Sequence, residues 1–109
     1  MQLINNIIPE PTEEESIKAL LSAQEMAFEN GLTTVSEAGI SRKQIELIDS
    51  LQKSGILKIK IYALIDTGPD VDYYLSQGPY KTDRLNVRSV KVYVDGALGS
   101  RGALSLIHI

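Results

Sequence analysis

At 109 residues, with 43% hydrophobic and 23% charged side chains, the chain can form one small domain or a piece of a larger one, and it is too apolar to be disordered. Fourteen acidic side chains are interspersed with eleven basic ones for a net charge of -3, so no basic patch points to nucleic acid and no lysine run to a membrane surface. The lack of cysteine excludes disulfides and thiolate metal sites, and no apolar run approaches the ~20 residues a membrane helix requires.

The opening MQLINNIIPEPTEEE lacks a basic region, a long apolar core and a small-residue cleavage site. No secretory signal is expected, and the cytoplasm is the default compartment. Residues 1–11 carry no clear period and read as an extended lead-in. Thr12 followed by Glu15 forms a capping box, and the acidic residues 13–15 suit the positive end of a helix. Ile17, Leu20, Leu21, Ala27 and Phe28 recur at helical spacing up to the Asn30-Gly31 stop.

LTTVSEAG (32–39) reads as a buried strand closing on Gly39. Ser41 with Gln44 opens a second helix through a second capping box. Ile45, Ile48 and Leu51 share one face of it, and Gly55 ends it. ILKIKIYALI (56–65) alternates as a strand, with Ile59, Ile61, Ala63 and Ile65 on one face and Lys58, Lys60 and Tyr62 on the other. DTGPD breaks that strand, VDYYLSQG (71–78) suggests a short helix, and PYKTDRLN (79–86) a loop. The loop tyrosines Tyr80, Tyr73 and Tyr74 are candidates to line a substrate pocket, with loop packing as the alternative.

VRSVKVYVDG (87–96) is a third strand, ended by Asp95-Gly96. Strands alternating with helices predict βαβ units and a parallel sheet. Three parallel strands with helices on one side leave a sheet face open, whereas parallel sheets are normally covered on both faces. A closed eight-stranded barrel takes roughly 250 residues. The expected fold is therefore α/β, a partial (β/α)8 TIM barrel whose open edges make the chain marginal alone.

Alternation places Lys91, Tyr93 and Asp95 on one face of this strand and Val90, Val92 and Val94 on the other. The valines suit a helix layer, which sends Lys91 toward the barrel interior, where an unpaired ammonium is costly. From periodicity, a salt bridge answers that cost, with Glu37 at the end of the first strand as the natural partner. GALGSRG follows the strand, but its Gly-x-x-Gly-x-x-Gly spacing matches neither the dinucleotide fingerprint nor the Gly-Lys-Ser/Thr phosphate loop.

GLTTVSEAG (31–39) and VKVYVDGALGSRGA (90–103) resemble the amidohydrolase superfamily, and within it amidohydrolase family 3. The match runs over 9–104, on strands two to four of the barrel, and its specific part is the fourth-strand Val-Lys-x-Tyr-x-Asp-Gly followed by a small-Leu-Gly-x-Arg run. The resemblance implies a hydrolase cleaving C–N bonds of small amide or N-acyl substrates with one or two divalent metals, zinc by preference. It implies that Lys91 is a metal ligand as its carbamate, an anionic oxygen donor formed from carbon dioxide and the neutral amine. Asp95 is a candidate to contact the metal-bound water or the substrate, or else a cap on the Gly96 turn. Arg101 is a candidate to hold a substrate carboxylate, or else a structural arginine. Ser36 and Glu37 stand where many relatives carry His-Asp and are outer candidates only.

The superfamily's other ligands are not in the chain: a His-x-His from strand one, histidines from strands five and six, and an aspartate from strand eight. One carbamate cannot hold a catalytic metal pair, so the fragment, 1–103, is expected to be inactive by itself. His108, the single histidine, lies in LSLIHI, which is unlike the family's continuation. LSLIHI is one translation of CTG TCT CTT ATA CAC ATC, a string resembling the terminal recognition sequence of a library-building transposon. Residues 104–109 are accordingly expected to be translated sequencing adapter. Two other readings stay open: a non-catalytic βαβ binding module, and a fragment of another TIM-barrel enzyme using Lys91 as a base or Schiff-base lysine.

Overall fold

The computed structural model describes residues 8–96. Helix α1 spans Glu13–Glu29, strand β1 Thr34–Ile40, helix α2 Arg42–Lys53 and strand β2 Lys60–Asp66. Helix α3 then spans Asp70–Gln77, strand β3 Tyr80–Lys81 and strand β4 Leu85–Lys91. Both predicted capping boxes form. The Thr12 hydroxyl accepts from the Glu15 amide while Glu15 reaches back to the Thr12 amide, and Ser41 and Gln44 repeat the exchange. Gly31 at φ 75° and Gly55 at φ 79° supply the left-handed turns after α1 and α2.

The sheet order is β1-β2-β4-β3, with β1, β2 and β4 parallel and β3 antiparallel to β4. Strand β2 is central, and its alternation governs the molecule. Ile59, Ile61, Ala63 and Ile65 are buried, while Lys60 and Asp66 are exposed and Tyr62 and Leu64 half-buried. The buried set joins Ile45, Ile48 and Leu51 of α2, with Ile40, Leu57, Leu85 and Val87, in one core. Ile17, Leu20 and Leu21 of α1 and Val71 and Tyr74 of α3 pack against the same core. Phe28, expected on the inner stripe of α1, is 43% exposed.

The segment expected to be a loop at 79–86 contains β3, so the sheet is mixed. Tyr80 pairs with Val87 and Lys81 with Asn86. The hairpin is pinned to α2, because the Tyr80 hydroxyl donates to Asp49 Oδ2 at 2.8 Å and Lys53 Nζ donates to the same oxygen at 2.7 Å. Gln52 is the buried polar residue of the core. Its Nε2 donates to the carbonyls of Ile59 at 3.1 Å and Arg84 at 3.0 Å, joining α2 to the starts of β2 and β4.

Strand β4 ends at Lys91, four residues before the expected Asp95. Its partner β2 ends at Asp66, where Oδ1 accepts from the Thr67 amide at 3.0 Å and the chain turns away. Val92 and Val94, expected beneath helices, are 60% and 94% exposed. No helix among the described residues is long and apolar enough to cross a membrane.

Replacing Gln52 with leucine keeps the volume but removes both bridging donors. The expected loss is about 1–3 kcal/mol of unfolding free energy, read as a lower urea midpoint at unchanged slope. An unchanged midpoint would show that Ile59 and Arg84 do not depend on this side chain.

Candidate functional site

Two irregularities in the ladder decide what stands at the C-terminal ends of the strands. Between β1 and β2, Ala38 opposes Leu64 and Ile40 opposes Ile65, leaving Gly39 as an extra residue at φ 95°. Between β2 and β4, Ala63 opposes Val87 and Leu64 opposes Ser89, leaving Arg88 extra. Each extra residue shifts the alternation by one. Leu85 and Val87 face the helices, and unbroken alternation would carry Ser89 and Lys91 there too. The bulge at Arg88 instead sets Val90 beside buried Ile65 and Lys91 beside Asp66 on the open face.

The result is a small polar convergence over Gly39. A Cβ placed on Gly39 would lie 3.7 Å from Lys91 Cγ, 3.7 Å from the Tyr93 hydroxyl and 3.8 Å from Asp66 Oδ1. Those are ordinary van der Waals separations, so the positive φ, rather than space, favours glycine here. Lys91 is half-buried, and its Nζ lies 5.2 Å from the Tyr93 ring centroid, a cation–π contact.

Below this convergence on the same face, Tyr62 and Ser89 share a hydrogen bond between their hydroxyls, and the Arg88 guanidinium lies 5.9 Å from the Tyr62 ring centroid. Hydrogen bonding to Ser89, and next to Arg88, lowers the Tyr62 pKa by favouring the phenolate. On the opposite face, burial against the core raises the Tyr74 pKa, since desolvation penalises its ionised form.

Lys91 therefore stands on the expected open face, set there by the bulge at Arg88, but its expected partnership with Glu37 does not form. Glu37 opposes Ala63, whose side chain is buried under the helices, whereas Lys91 opposes Asp66 on the other face. Glu37 instead lines a groove of about 390 Å³ shared with Leu20, Gln44 and Leu47 of α1 and α2. Ser36 opposes Tyr62 on the open face.

Asp95 is half-buried beyond the end of β4 and precedes Gly96 at φ 97°, as a turn-capping residue would. Arg101, His108 and the segment 104–109 lie outside the described residues. Tyr73 and Tyr74 belong to α3, and Tyr80 to β3, rather than to a loop over the strand ends. Tyr73 lies 3.5 Å beneath the Arg42 guanidinium, while Tyr74 and Tyr80 pack on the core.

Asp66 and Tyr93 complete a cluster in which only Lys91 and Tyr93 had been placed on one face. The signal for Asp66 was in the sequence, because it continues the Lys60, Tyr62, Leu64 phase of β2. No group of three or more His, Cys, Asp or Glu side chains among the described residues could hold a metal ion. In donor chemistry a carbamate on Lys91 would suit one position in a larger ligand set, which Lys91 and Asp66 do not form by themselves.

Comparison with solved structures finds similarity to an uncharacterized metal-dependent hydrolase from Pyrococcus horikoshii OT3. The TM-score is 0.70 at 30% identity, over 84% of this chain and 19% of that one. A second similarity is to an uncharacterized metal-dependent hydrolase from Pyrococcus furiosus, with a TM-score of 0.72 at 28% identity, over 92% of this chain and 21% of that one. This chain thus spans about a fifth of the length of each. No protein-family model matches the chain, and no curated protein sequence does.

In a spectrophotometric titration Tyr62 is expected to ionise below the ordinary tyrosine range and Tyr74 above it. Tyr62 lowered in the fold adds stability above its unfolded pKa, a contribution lost as pH falls through its folded pKa. Tyr74 raised in the fold contributes below its unfolded pKa and loses that as pH rises through the folded one. Ser89→Ala should move the early transition upward more than Arg88→Met does; no movement in either variant contradicts the hydrogen-bond account.

Proposed function

We propose that this chain is an interior part of a metal-dependent amidohydrolase barrel that cleaves a C–N bond in a small amide or N-acylated substrate. The observation that carries the reading is the position of Lys91. It ends a parallel strand on the face away from the helices, in a fold that aligns with a fifth of two metal-dependent hydrolases. Barrel enzymes place their chemistry at the C-terminal ends of such strands. The resemblance of residues 31–39 and 90–103 to amidohydrolase family 3 narrows the class from hydrolase to amide hydrolase.

In this reading the neutral Lys91 amine attacks dissolved carbon dioxide. A new Nζ–C bond forms, one C=O π bond opens to leave a carboxylate, and the displaced proton passes to solvent. The product is an anionic oxygen donor where a cation had stood. A divalent ion, zinc by preference, supplies a Lewis acid that polarises the scissile carbonyl and makes a water nucleophilic at neutral pH. Asp95 orients that water or the substrate, and Arg101 grips a substrate carboxylate through a two-pronged hydrogen bond. The remaining metal ligands come from parts of the barrel beyond this chain, so residues 1–109 alone turn nothing over.

In the full-length enzyme, Lys91→Ala is expected to release metal and to lower kcat at least about 100-fold. Added short carboxylic acids should restore part of it by filling the vacated oxygen-donor position. Full metal content and activity in Lys91→Ala, or metal-dependent turnover by purified 1–109, defeats the proposal.

One observation favours a second reading, a free-standing βαβ module that binds a partner through its open sheet. That face carries Ser36, Tyr62, Arg88, Ser89 and Lys91, and so is less apolar than an orphaned sheet face would be. A single sharp sedimentation boundary for the isolated chain, at monomer or dimer mass, supports the module. Polydisperse association supports the barrel fragment.

A further inference from the structure

Asp66 opposes Lys91 in the ladder, on the same face, and its orientation is set before any ligand arrives. Oδ1 is held by the Thr67 amide at 3.0 Å, in the turn that ends β2. The same oxygen and Lys91 Cγ lie within 3.8 Å of one point above Gly39. The Lys91 ammonium, meanwhile, rests 5.2 Å from the Tyr93 ring centroid. A π face attracts a cation and offers nothing to an anion.

A carbamate differs from an ammonium in hydrogen bonding as well as in charge. Its nitrogen keeps one N–H, and its two oxygens lie in the plane of that bond. Whichever acceptor takes the N–H therefore fixes the direction in which the oxygens point. Building on the carbamate reading above, we infer that Asp66 is the positioning residue for Lys91. On carboxylation the side chain leaves the Tyr93 ring, and its N–H donates to the Asp66 carboxylate, turning the carbamate oxygens away from β2. Two anions so close repel each other, and the arrangement is stable only with the carbamate oxygens bound to cation. Outer partners of this type orient ligands, and their loss typically costs 10–100-fold in metal affinity.

The test is carbon-13 NMR of full-length enzyme equilibrated with carbon-13 bicarbonate, together with metal content. Wild type should give a carbamate carbon signal that Lys91→Met abolishes. Asp66→Ala is expected to lose most of that signal and to bind metal about 10-fold or more weakly. Asp66→Asn, which keeps an acceptor oxygen, should retain both. If wild type shows no Lys91-dependent signal, the carbamate reading fails and this inference with it. A full signal and unchanged metal affinity in Asp66→Ala overturn the inference alone. Equal losses in Asp66→Asn and Asp66→Ala overturn the acceptor role. If Asp66→Ala does not fold, nitrogen-15 lysine labelling decides: the Lys91 N–H proton should shift between wild type and Asp66→Asn, and an unmoved proton overturns the inference.

Discussion

One-sided burial of β2 is the constraint on which the other features rest. Four alternate residues from Ile59 to Ile65 are at most 6% exposed, and all face the helices. Burying each of the three isoleucines contributes roughly 1.5–3 kcal/mol, and a slip of one residue would turn the whole set to the open face. Register on both sides of β2 is therefore stiff. Ile40 of β1 and Leu85 and Val87 of β4 reach the core only by keeping step with it. Gln52 donates to the Ile59 carbonyl and adds a second bond to the Arg84 carbonyl, which already accepts from the Ile61 amide, and so ties α2 to the strand starts.

Against that stiff register, the bulges at Gly39 and Arg88 give the strand ends a different phase from their beginnings. Leu85 and Val87 need the core, while Lys91 and Ser89 need the opposite face, and an even separation within one strand cannot satisfy both without an extra residue. Arg88 supplies it in β4, and Gly39 in β1, where only a residue tolerant of φ 95° is unstrained. The cluster of Asp66, Lys91 and Tyr93 is thus a product of core packing, since the register that buries Val87 and Ile65 brings Lys91 level with Asp66. A half-buried ammonium is tolerable there because Tyr93 covers it and solvent reaches the open face.

Elements whose cause is local were legible in the sequence. Both capping boxes, the glycine stops and the two-residue period of β2 follow from contacts within a few positions, and all appear as expected. The α3 helix was likewise visible. Strand β3 was not, because two residues carry no period; it exists because Tyr80 finds Asp49 on α2 and Val87 on β4. The Lys91–Glu37 pairing failed for a related reason. Alternation within each strand ranks residues by face but does not state which face a neighbouring strand presents.

The sequence by itself determined the helices, the buried face of β2, the α/β class and the interest of Lys91, because each depends on short-range periodicity or on a motif within one strand. Tertiary structure decided which residues meet Lys91. It placed Asp66 beside it and Glu37 in the exposed groove on the helix side, ended β4 where β2 turns away, and moved the tyrosines into helix and core. The physical reason is register: cross-strand neighbours are set by the packing of the shared core and by bulges that a single strand's pattern does not reveal.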